Sequence, residues 1–168
     1  MPIRNRPSEG ESWGERSLLL TMLKFTQDVA AWKVRGLTEE QARTAPLRTS
    51  PLTSPANIVN HLRWVERSWI EDDILGRDSH RPRSRPDADF EEGSALPLDE
   101  VIRLYEEGAA DTRAFFADAD LDAPTAVQPP DAPTTVRWVL LHLIEETARH
   151  NGHLDILREM ADGEVGNY

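Results

Sequence analysis

Residues 135–163 read TVRWVLLHLIEETARHNGHLDILREMADG. Val139, Leu143, Glu146, His150, Leu154 and Leu157 follow one another at steps of four, three, four, four and three, the period of one face of an α-helix. Thr134 or Thr135 supplies an N-cap, and the pattern runs to about Ala161, just before Gly163. Two positions of this otherwise apolar face are polar. Glu146 and His150 stand one turn apart, so both side chains reach one point between them. Buried without partners, such groups cost several kcal/mol. On a solvated face the same pair is an ordinary i,i+4 ion pair worth about 0.3–0.5 kcal/mol.

His61 tips the balance. Ser54-Pro55 has the form of an N-cap followed by a first-turn proline, and it opens a helix whose inward stripe is Ile58, Leu62, Val65 and Trp69. His61 lies three residues after Ile58 and four before Val65, on that inner face. A lone inward histidine is ordinarily a hydrogen-bonded core residue. Facing helices of a bundle, however, build metal sites from such side chains. His61, Glu146 and His150 are therefore the expected metal ligands. Two neutral imidazoles and one carboxylate suit zinc, with nickel or iron as alternatives. Three protein ligands also leave a coordination position open, as in catalytic zinc sites.

His153, three residues after His150, is the expected catalytic residue, as a general base or a group supporting the ligands, with a fourth-ligand role as the alternative. His142, one turn before Glu146, is a weaker ligand candidate. His80 and the arginines at 77, 81, 83 and 85 read as a solvated charged loop. Glu66 falls about 500° around the helix from His61 and need not share its site. Trp64 and Trp69 read as packing.

The rest of the chain is helical too. Leu18, Met22, Phe25, Val29 and Trp32 form a stripe that stops near Gly36, and Thr38-Glu-Glu-Gln41 has the form of a capping box. A third long helix is predicted from about Leu98 to Ala117, with Val101, Leu104, Tyr105, Thr112 and Phe115 inward. Arg77 to Pro97 and Asp118 to Pro133 read as two longer loops. No repeat and no strand pattern emerges. The reading is all-α: one antiparallel four-helix bundle over residues 1–168, with 1–15 a loose N-terminal segment.

Composition narrows the function classes. A formal charge of −11 argues against nucleic acid and anionic membranes, both of which need basic surface. No apolar run has the length of a bilayer span, and the N-terminus lacks the apolar region of a signal peptide, so the cytoplasm is the expected compartment. The 168 residues contain no cysteine. Any thiol chemistry must use a sulfur brought by a cosubstrate.

Asn60-His61-Leu-Arg-Trp-Val-Glu66-Arg-Ser-Trp69, with Glu146-Thr-Ala-Arg-His150-Asn-Gly-His153-Leu-Asp155-Ile-Leu-Arg158, resembles the DinB-like superfamily. The nearest branch is an actinobacterial domain of unknown function related to mycothiol-dependent enzymes. The resemblance runs from about Ser17 to Gly163. It implies a four-helix bundle holding a divalent metal, usually through three histidines, with His61 in the place of the first. Glu146 stands where a histidine is common, a departure shared with the mycothiol-dependent maleylpyruvate isomerases. His153 occupies a place where relatives often carry glutamine. Relatives include transferases for mycothiol, bacillithiol and similar thiols, and many are homodimers.

The leading expectation is thus a divalent-metal-dependent S-transferase, or thiol-assisted isomerase, that uses a mycothiol-type thiol and a small electrophile. A metal-dependent hydrolase stands beside it. So does a non-catalytic metal-binding bundle or dimeric scaffold.

Overall fold

The computed structural model describes residues 3–8, 10–82 and 87–166. Its helices are α1 (Glu15–Val34), α2 (Glu39–Arg43), α3 (Pro55–Ser68), α4 (Ala88–Ala95), α5 (Leu98–Asp118) and α6 (Val136–Asp162), and a π-helical segment, Trp69–Ile74, prolongs α3. No strand forms among the described residues, which hold one isolated bridge between Pro124 and Thr135. No described helix is long and apolar enough to cross a membrane.

Local chemistry sets the boundaries. Gln41 donates its backbone N–H to Thr38 Oγ1 at 3.2 Å while Thr38 N–H donates to Gln41 Oε1 at 2.9 Å, closing the predicted capping box. Ser54 Oγ caps α3 by accepting from Asn57 N–H at 3.3 Å, and Thr135 Oγ1 does the same for α6 from Trp138 N–H at 3.3 Å. Gly163, at φ 81°, ends α6 in the left-handed conformation that a side chain would strain.

The four long helices form a square in which α1 packs against α5 and α6, and α3 against the same two. Their core has two apolar halves. One gathers Ala30, Val34, Ile58, Leu62, Val101, Tyr105, Leu154 and Leu157. The other gathers Leu23, Val65, Phe116, Val139, Leu140 and Leu143. A polar belt separates them. It comprises Thr26 and Gln27 of α1, Glu66 of α3, Thr112 of α5, and Glu146, Thr147 and Asn151 of α6, all buried.

Three expectations shift. Of the predicted α1 stripe only Val29 is buried; Leu23, Gln27, Ala30 and Val34 face the core instead. Helix α1 is apolar around much of its girth, and contact with both α5 and α6 turns inward the side on which Gln27 meets Glu66. On α5, Phe116 rather than Phe115 fills the core, because Val101, Tyr105, Ala109, Thr112 and Phe116 keep the helical period.

The segment 77–97 contains helix α4 rather than only loop. Its buried residues are Ala88, Asp89 and Gly93, so no apolar period announces it. Gly93 is what brings it close: a Cβ there would lie 2.8 Å from both Ala56 O and Asn57 Cα of α3. Arg83 and Arg85 lie outside the described residues.

Candidate metal centre

The seam between α3 and α6 brings the three predicted ligands together. His61, Glu146 and His150 each offer one donor atom, and these atoms all lie within 4.8 Å of one another. Glu146 Oε1 is 3.2 Å from His150 Nε2 and 3.7 Å from His61 Nε2. The imidazole centroids are 5.2 Å apart, inclined at 60°. Ligands about 2.0–2.2 Å from a tetrahedral ion stand roughly 3.3–3.6 Å from each other, and both spacings through Glu146 Oε1 are close to that. The residues present fit a divalent ion.

Electrostatics favour the same use. Burial, with the neighbouring charges of His61, His153 and Arg149, pushes His150 down to about 4. Near neutral pH its imidazole is uncharged and keeps a lone pair for coordination. Arg149, three residues after Glu146 on α6, forms an ion pair with Glu146 Oε2 from the exposed side.

Behind His61 stands a group that the sequence reading missed. Asp89 Oδ2, on α4, lies 2.7 Å from His61 Nδ1, and Arg81 Nη2 donates to the same oxygen at 2.8 Å. Phe90 stacks on the His61 ring with centroids 4.1 Å apart. Burial pushes the Asp89 carboxyl up, but the His61 hydrogen bond and the Arg81 charge outweigh it and hold the group below the usual carboxylate range. Arg81 is therefore part of the wall of the site and not a solvated loop cation. Its Nη1 also donates to Ser68 Oγ at 3.2 Å, and its Nη2 lies 3.5 Å from His61 Nδ1.

The remaining candidates fall elsewhere. His153 is exposed on the outer side of His150, Nδ1 to Nδ1 3.4 Å, and is not among the three converging donors. His142 stacks against Trp138 and meets Trp69 edge-on, one turn further along the seam, and burial lowers its pKa. His80 is exposed and 3.2 Å from Asp78. Glu66 is buried away from the three donors and accepts from the Gln27 amide. Trp64 is buried and donates Nε1–H to Glu92 Oε2 at 2.5 Å, so it packs as expected.

Fold and site together define a helical bundle with a three-donor candidate metal centre at mid-height. The family model described as mycothiol-S-transferase matches residues 18–163, and the chain belongs to that family. Among the curated proteins, none matches the chain.

Proposed function

We propose that this protein is a divalent-metal-dependent mycothiol S-transferase, or a thiol-assisted isomerase, acting on a small electrophile. The observation that carries the proposal is the convergence of His61, Glu146 and His150 in a chain of the mycothiol-S-transferase family. The absence of cysteine adds support, since the sulfur nucleophile has to come from a cosubstrate. A cosubstrate thiol of this kind fits a reducing compartment, the cytoplasm.

His61, Glu146 and His150 hold the ion, zinc by preference and nickel or iron as alternatives. A divalent cation there supplies the charge that keeps a bound thiol ionised near neutral pH. Exposed His153 takes up the released proton at Nε2, the nitrogen left free by the Nδ1 contact with His150. The thiolate then forms a C–S bond to the electrophilic carbon. In the transferase case the leaving group departs with its electron pair. In the isomerase case the π pair of a carbonyl-conjugated C=C shifts to that carbonyl and, after rotation about the carbon–carbon bond, returns to expel the thiolate.

Conjugation of 1-chloro-2,4-dinitrobenzene should require both mycothiol and added zinc. Loss in chelator-treated protein, and absence without thiol, are the expected controls. No metal-dependent conjugation across aryl chlorides and epoxides contradicts the proposal. His153→Ala should keep stoichiometric metal while kcat falls roughly 100-fold, the scale of general-base catalysis; unchanged turnover removes His153 from the mechanism.

We also propose a homodimer through the outer face of α6. Leu141 and Ile156 are 49% and 54% exposed, and Gly152 lies between them. A Cβ at Gly152 would meet nothing within 4 Å, so packing within the protomer gives no reason for this helix-weakening residue. Light scattering should give twice the chain mass for the natural protein and a reduced mass for Ile156→Glu. A monomer at micromolar concentration rules the dimer out.

A further inference from the structure

We propose that Asp89 is the positioning residue of the centre, holding His61 with its hydrogen on Nδ1 and its Nε2 lone pair aimed at Glu146 and His150. The inference rests on the metal-site reading above, but it concerns an atom on the far side of the ring. An ionised carboxylate can only accept, and Arg81 Nη2, the donor also near this nitrogen, stands 3.5 Å from it while bonding Asp89 Oδ2 at 2.8 Å, so the nitrogen 2.7 Å from Asp89 Oδ2 carries the hydrogen. That leaves Nε2, 3.7 Å from Glu146 Oε1, as the donor atom.

The carboxylate is itself held in place. Asp89 is 1% exposed, and Arg81 bonds both to it and to Ser68 Oγ, tying α4 to the end of α3. Its own backbone carbonyl accepts from Asn60 Nδ2 at 2.6 Å, one residue before His61. Glu92, one turn on, accepts from Arg63 at 2.7 Å as well as from Trp64. Gly93 then allows α4 to lie against the α3 backbone. Phe90 fixes the plane of the imidazole by stacking on it. The partner of His150 on its outer nitrogen is, by contrast, an exposed imidazole able to donate or accept. The two histidines are thus unequal: His61 is oriented before any ion arrives, and His150 is not fixed in this way. Carboxylates behind metal-ligating histidines set tautomer and orientation, and removing one typically weakens affinity 10–100-fold.

The first readout needs neither metal nor turnover. Long-range proton–nitrogen correlation spectra of metal-free, nitrogen-15-labelled full-length protein at pH 8 should show His61 with hydrogen on Nδ1. Asp89→Ala should return it to the Nε2–H form, and zinc affinity should fall about 10–100-fold. Asp89→Asn, which keeps an oxygen acceptor, should retain the Nδ1–H form and most of the affinity. A His61 protonated on Nε2 in the unaltered protein overturns the proposal, whether or not any variant folds. So does an Asp89→Ala protein with unchanged tautomer and unchanged zinc affinity. If the unaltered protein binds no zinc, the metal reading fails while the spectrum still decides the role of Asp89.

Discussion

His61→Ala and His150→Ala should each abolish stoichiometric zinc binding, with affinity falling by more than about 100-fold. Each variant removes one of the three donors that converge among the described residues, leaving one imidazole and Glu146 Oε1. Neither change should unfold the bundle, because both rings sit at the half-buried seam and the flanking core residues Ile58, Leu62, Leu143 and Leu154 stay in place. Competitive titration with a zinc-sensitive dye, read beside thermal melts of the metal-free proteins, checks the result. Tight one-to-one binding in either variant means that the ion, if any, sits elsewhere. His153→Ala is the internal comparison, since that imidazole lies outside the converging set.

The second large effect is a stability that falls as pH rises. Glu66 is 2% exposed, and burial pushes its carboxyl up to about 7, against hydrogen bonds from Gln27 and Thr112 and the charge of Arg113, which pull it down. An unfolded glutamate ionises near 4.5, so between that value and about 7 the folded chain keeps a proton that the unfolded chain has lost. The contribution is therefore fully present below about 4.5 and is lost as pH rises through about 7, amounting to roughly 3 kcal/mol. Glu66→Gln, which cannot ionise, should gain on the unaltered protein by about that amount between pH 5 and pH 8. Urea denaturation at the two pH values measures the difference. Parallel stability profiles for the two proteins would show that Glu66 does not titrate in this window. Taking the difference between variants cancels the opposite trends of surface carboxylates.

How much of this was legible in the chain depends on which residues carry a period. On α6 the face through Val139, Leu143, Leu154 and Leu157 is buried throughout, and Glu146 falls on it as the spacing requires. His61 was legible for the same reason, lying between the buried Ile58 and Val65. Helix α1 was misread by a rotation because two neighbours cover it and a buried glutamine replaces an apolar residue in its stripe. Helix α4 was invisible. Its inward residues are an alanine, an aspartate and a glycine, and what holds it is hydrogen bonding to residues 28 to 37 positions earlier. Asp89 and Arg81 consequently had no signal of their own; their link to His61 exists only once α4 lies on α3.

On α6 the polar belt lies far from both helix ends. Glu146 is ten residues from the start of α6 and His150 twelve from its finish, roughly 15–18 Å of helix on either side. Fraying begins at termini and dies out within a turn or two. Backbone amides around the donors should then exchange with deuterium only when the entire molecule opens, so the ligand sphere shares the lifetime of the native state itself.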